Sequence, residues 1–188
     1  MTRFPVEKYA SLELNQVAFS KTGMVVSQTP LGGKFVEGGS GNYGPCENGM
    51  WVVADKAAGV LDAPANVTDS PIGIVYTAEK EYDIMHYGLK YFSKVAGDYP
   101  RVGILGLGDT VTTNCLQYDE STYSTFEALE TVLKACATTP VYVVPVAGSP
   151  VPALTASKPN SGLYGKVTKY YTVPNGEKGV KYEIVSLG

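Results

Sequence analysis

The side chains best suited to chemistry are few: one imidazole, His86, and three thiols, Cys46, Cys115 and Cys136. A nucleophilic thiol needs a base within hydrogen-bond reach and a third group to orient that base. Neither PCENG around Cys46 nor NCLQ around Cys115 has the form of a nucleophile elbow. His86 stands beside tyrosine in MHYG, where a lone imidazole ordinarily serves as a hydrogen-bonded surface or core group. Zinc takes three or four ligands, and one imidazole without a CxxC pair cannot assemble them. No disulfide scheme pairs three cysteines, so the thiols are read as reduced and packed.

Two further patterns invite a reaction and fail to supply it. GILGLGDT (103–110) has the glycines of a phosphate-binding loop. The Walker pattern, however, requires Lys-Ser/Thr after its last glycine, where Asp109 stands, and the dinucleotide pattern requires glycine at Val111. A carboxylate there repels phosphate, so Gly108-Asp109 is read as a turn between two strands. Carboxylates also gather at Glu79, Glu81 and Asp83, and at Asp119-Glu120. Glycosidic hydrolysis needs two of them facing each other in one cleft. Tyr82 and Tyr118 would serve as sugar platforms, but nothing in the pattern fixes these acids opposite one another. No catalytic residue, metal ligand or cofactor is therefore expected.

The elements that position these groups are short. Twenty-one glycines and twelve prolines cut the 188 residues into segments that suit strands and turns. Strands are expected at 9–20, with Leu12 and Leu14 on one face, and at 23–31, 50–54, 60–64, 71–78 and 141–148, with more within 101–118. GGKFVEGGSGNYGPCENG (32–49) is read as a glycine-rich loop, mobile unless a partner pins it. STYSTFEALETVLKACATTP predicts one helix near 125–137, with Ser124 and Glu127 as a capping box and Phe126, Leu129, Val132, Leu133 and Cys136 as its apolar stripe. SPVPALTASKPNSG is read as a proline-rich connector. GKVTKYYTVPNGEKGVKYEIVSL predicts a hairpin over 165–187 turning at Asn175-Gly176. The fold expected is mainly β (α+β), a small β-barrel or β-tulip-like domain with one amphipathic helix. Residues 1–45 form N-terminal strands and a glycine-rich arm, and residues 46–188 the β-rich domain.

Composition narrows the partners. The net charge is −3 with two arginines, Arg3 and Arg101, and scattered lysines, so no nucleic-acid face is expected. No apolar run reaches the roughly 20 residues of a membrane helix, and the first residues lack a signal peptide's apolar segment. The chain is read as cytoplasmically made, with no membrane partner. Fourteen tyrosines against five phenylalanines suit half-buried strand positions and protein interfaces.

ENGMWVVADKAAGVLDAP (47–64), followed by PIGIVYTA, is similar to the short β-barrel of head-decoration (cement) proteins of tailed bacteriophages. In that family a G-apolar-apolar-x-D-x-x-x-G turn precedes a P-x-G-apolar strand. YPRVGILGLGDTVTTN (99–114) and YYTVPNGEKGVKYEIV (170–185) resemble virion proteins from phages of Gram-positive bacteria. The resemblance implies a structural protein on the capsid exterior, a homotrimer whose partner is the major capsid protein, with a flexible N-terminal arm adding a strand to a capsid sheet. Tyr43, Trp51, Tyr76, Tyr82 and Tyr99 are the candidate contact residues. A tail or neck component of the same virus, or a carbohydrate-binding module acting in host adhesion, stands as the alternative. An exposed coplanar row of tyrosines would mark the carbohydrate module.

Overall fold

A computed structural model describes residues 1–13, 17–19, 25–26, 29–69, 71–77, 92–172 and 176–187. The described strands are β1 (Thr2–Arg3), β2 (Val25–Val26), β3 (Trp51–Asp55), β4 (Val60–Asp62), β5 (Gly73–Val75), β6 (Val102–Ile104), β7 (Thr110–Thr113) and β8 (Gln117–Tyr118). The helix α1 (Phe126–Lys134) follows, then β9 (Tyr142–Val146), β10 (Ser149–Thr155), β11 (Leu163–Thr172) and β12 (Lys178–Leu187). A seven-stranded sheet, in the order β1-β8-β10-β9-β11-β12-β7, curls into a half-barrel. A second sheet runs β2-β6-β5-β3-β4. The mainly β expectation, with one helix and a C-terminal hairpin, holds.

Alternation explains the hairpin. Val180, Tyr182 and Ile184 point inward and are fully buried, while Lys181, Glu183 and Val185 point out. Tyr182 meets Trp51 in the core, where the indole Nε1 donates to the phenol oxygen at 3.1 Å. Gly165 faces this tyrosine because a Cβ there would lie 2.8 Å from its ring. The helix covers one side of the same core through Leu129 and Leu133. Its N-cap is Thr125, whose Oγ1 accepts from the Ala128 N–H at 3.2 Å, one residue later than the expected Ser124 box. Glu127 therefore contributes charge in the first turn and does not complete a box.

The first half of the segment expected as a proline-rich connector, Ser149–Thr155, is a strand. β10 pairs with β9 antiparallel and with β8 parallel, and its register shifts between Ser149 and Ala153. Pro150 and Pro152 lie inside that irregularity, where a missing N–H breaks no regular ladder. The amide of Gln117 reaches across and donates to the Val151 carbonyl at 2.6 Å. The expected strand over 9–20 is represented by two isolated bridges, Leu12 to Thr113 and Ala18 to Thr110, which cover the outer edge of β7. Residues 14–16 and 20–24, including Leu14, lie outside the described residues.

The described residues of 1–45 contribute to both core clusters. Phe4 and Leu12 belong to the same core cluster as Trp51 and Tyr182. Ala10, Leu31 and Phe35 pack with Met50 and Leu61 in a second cluster. The glycine-rich loop is held by its own chain: Phe35, Cys46 and Asn48 are buried, and Cys46 bridges to Lys94. Gly49 closes it with a φ of 95°, packed so tightly that a Cβ would lie 2.5 Å from the Cys115 Cβ.

Candidate interaction surface

The five tyrosine and tryptophan candidates do not form one site. Trp51 has no accessible surface and is a core residue. Tyr43 is half-buried; its ring meets Phe35 edge-on at 5.1 Å and its hydroxyl donates to Asp62 at 2.6 Å. Burial and that carboxylate raise its pKa, so it stays a neutral donor. Tyr76 stacks edge-on with Phe19 at 5.2 Å and lies under the Arg101 guanidinium. Tyr99 is 59% exposed, the one described tyrosine on the open surface. Tyr82, like His86, Glu79, Glu81 and Asp83, lies outside the described residues. The described tyrosines thus present no coplanar exposed row; all but Tyr99 are half-buried or buried.

The thiols and the glycine turn behave as core and turn groups. All three cysteines are free and buried. Burial pushes Cys46 well up and Cys115 to about 12, which removes the thiolate a nucleophile needs. The Asp109 carboxylate accepts from the Gly106 N–H at 2.6 Å, and Gly108 has a φ of 86°, so GLGD is a closed turn. No group of three or more His, Cys, Asp or Glu suited to a metal occurs among the described residues.

The exposed large apolar side chains are distributed unevenly. Met1 and Val67 line one cleft of about 440 Å³ together with Val144, Ala153 and Leu163. Leu163 is the register partner of Leu187, which is exposed on β12 two residues beyond the exposed Val185. Leu107 sits at the tip of the turn that closes on β12, where the Gly108 N–H donates to the Ile184 carbonyl at 2.9 Å. Leu107, Val185 and Leu187 are thus exposed near the end of β12, and Met1 and Val67 at the cleft. Exposed apolar side chains lining a cleft suit a contact site.

The cleft is lined by charge of both signs, in Asp119 and Lys158. Hydrogen bonds from the Ser121 hydroxyl and N–H hold the Asp119 carboxyl below the usual carboxylate range, so it stays ionised. Glu120 lies next to it, bonded to the Thr2 hydroxyl, and Glu127 is close enough for both to raise the pKa of Tyr118, which burial raises most. Beyond Lys158, residues 158–188 carry five lysines against two glutamates, whereas residues 1–157 carry ten basic and sixteen acidic side chains. The arrangement suits a non-covalent contact with an apolar centre and charged rims.

No protein-family model, curated protein or solved structure matches the chain. The surface must be read on its own geometry. Sequence reasoning missed it because the cleft draws its walls from residues near 1, 67, 119, 144, 154 and 160, which share no local pattern. The available signal was the clustering of lysines after residue 157.

Proposed function

We propose that this chain is a structural protein that binds the outside of an assembled phage capsid and stabilises it, working as a homotrimer against the major capsid protein. The observation that supports a binding role is the cleft of about 440 Å³ at which the apolar side chains of Met1 and Val67 are exposed. The capsid is named from the resemblance of residues 47–64 and 71–78 to decoration proteins, and of 99–114 and 170–185 to virion proteins from phages of Gram-positive bacteria.

Two described strand edges favour docking through side chains. Leu12 and Ala18 bridge to β7, and Pro30 and Gly32 bond to both sides of Leu61 on β4, at 2.7 and 2.8 Å. The N-terminal residues are engaged with their own β8, so attachment by a donated N-terminal strand is replaced in this reading by a preformed surface. A site spanning several shell subunits exists only on the assembled shell, so binding there opposes disassembly by mass action.

The test compares heads lacking this protein with heads resupplied with it. Saturable binding and a higher rupture temperature are expected. Equal rupture thresholds at full occupancy would overturn the reading.

A further inference from the structure

We infer that the sheet face shared by the cleft and the hairpin lysines takes an extended acidic segment of a partner protein. An aliphatic side chain of that segment enters the cleft, and its carboxylates sit on Lys166, Lys169 and Lys181. The inference rests on the binding role proposed above, not on the identity of the shell, and names the chemistry of the partner.

Strand register joins the two places. Register partners point to the same face of a sheet, as do alternate residues of one strand. Thr155 lines the cleft and pairs with Tyr142 on β9. Tyr142 pairs in turn with Lys166 on β11, and Lys166 with Glu183 on β12. Val144, two residues from Tyr142, lines the cleft as well. The next rung of the hairpin on this face sets Lys169 directly opposite Lys181. Val143, Val167 and Tyr182, on the other face, are buried in the main core. The lysines and these cleft residues therefore share the side that points away from that core. Neighbouring strands lie about 4.8 Å apart, so β10 and β12 are separated by about 14 Å, the reach of about four or five extended residues.

The occupant follows from the charges. Like charges directly opposite each other destabilise a strand pair. Among the described residues, none of the three lysine ammoniums has an ion pair or hydrogen bond. Glu183 shares their face, which leaves a surplus of two positive charges. A carboxylate seated between Lys169 and Lys181 removes their repulsion. A continuous polyphosphate suits the face less well, because it also meets Glu183 here and Asp119 in the cleft. A single aliphatic acid brings only one carboxylate to three lysines. A polypeptide spaces separate carboxylates along its length, and its backbone amides suit Thr155, Ser157 and Asn160 along the cleft.

Fluorescence anisotropy of two labelled peptides titrated with the full chain tests the inference. The peptides are acetyl-Leu-Ser-Ser-Ser-Glu-Glu-Glu-amide and the same residues in reverse order. At least one is expected to bind with a Kd of about 100 μM in about 0.05 M salt. Binding should weaken several-fold at about 0.5 M salt. The pair Lys169→Glu with Lys181→Glu should weaken it about tenfold and favour a peptide with Lys in place of each Glu. Val67→Ser, at the exposed wall of the cleft, should weaken it about threefold and leave a peptide with Ser in place of Leu unaffected. Unchanged circular dichroism and melting of each variant confirm a retained fold. No binding of either peptide at about 1 mM chain, or binding unaltered by the charge reversals, would overturn the inference. Tighter binding of a thymidine heptanucleotide, lost on the same reversals, would give the face to nucleic acid and overturn it too. Peptide binding by a chain that never attaches to heads would leave this inference standing without the capsid reading. Saturation of heads by a chain that ignores both peptides would do the reverse.

Discussion

The first thirteen residues and the C-terminal hairpin are both firmly placed, by different means. β11 and β12 hold each other through a ladder running from Leu163–Leu187 to Thr172–Lys178, with side chains alternating in and out. The N-terminal segment has two residues of regular strand, a few further backbone bonds to residues 112–116, and several bonds to distant side chains. The Glu47 carboxylate takes both terminal nitrogens of Arg3, at 3.1 and 2.8 Å, and the Ala10 N–H at 2.7 Å. Asn114 takes the Ser11 N–H at 2.6 Å, and Glu177 takes the Glu7 N–H at 2.7 Å and the Asn114 amide at 2.7 Å. Phe4 anchors the segment, edge-on to Phe126 at 5.0 Å. A ladder spreads its stability over many equivalent bonds, whereas a strap concentrates it in a few.

Single substitutions should therefore hurt the strap more than the hairpin. The largest effect is expected from Phe4→Ala, which leaves a cavity in the main core and should cost about 3–4 kcal/mol in urea unfolding. Glu47→Ala comes next: it strands the guanidinium and the Ala10 N–H together, and about 2–3 kcal/mol is expected. A loss below about 0.5 kcal/mol for either would erase the distinction between the two regions.

Alkaline titration probes the packing beneath the strap. Cys115, next to Gly49, has its pKa raised from the usual 9.0 to about 12 by burial, and Cys46 is raised with it. Above the thiol pKa of the unfolded chain the folded state holds more protons, so stability falls as pH rises through the window from about 9 to about 12. Each thiol contributes a slope of about 1.4 kcal/mol per pH unit there. Below pH 9 this contribution is fully present. Urea midpoints measured at rising pH check the sign, and Cys115→Ala should make the fall shallower.

The smaller effects sharpen the contrast from the other side. Thr125→Ala removes the helix cap and should cost about 1 kcal/mol, with Ser124→Ala nearly silent. Lys178→Ala in the hairpin, whose ammonium donates to Thr172 at 2.8 Å on the surface, should change stability by less than about 0.5 kcal/mol. Equal costs at Lys178 and Glu47 would contradict the account of ladder and strap.

The same contrast decides what could be read from the sequence. The hairpin was legible because KGVKYEIVSL alternates and a turn signal precedes it. The helix was legible from its stripe, but two adjacent cap-forming residues left its start uncertain by one position, and the later of them caps it. β10 was hidden because Pro150 and Pro152 break the strand pattern, and only a neighbour's glutamine and a register shift make them tolerable. The strap was read as a flexible arm because its partners lie 37 to 170 residues away and leave no local periodicity. Trp51, taken for a contact residue, illustrates that an aromatic side chain does not announce which face of a strand it occupies. The cleft was illegible for a related reason, since six separated segments build it.

The reach of the strap also bears on how the chain comes to be folded during synthesis. Glu7 is bonded to Glu177 across a separation of 170 residues, and Ser11 to Asn114 across 103. As the polypeptide emerges from its N-terminus, Phe4 and Ala10 have no complete place to go until almost all of it has been made. Residues 1–13 are thus among the last of the described segments to settle, and their apolar side chains stay open to other contacts in the interval. Long-range closure of this kind slows folding and lengthens exposure to aggregation. Yield on expression should consequently respond to temperature and holding chaperones more than the stability of the finished fold would suggest.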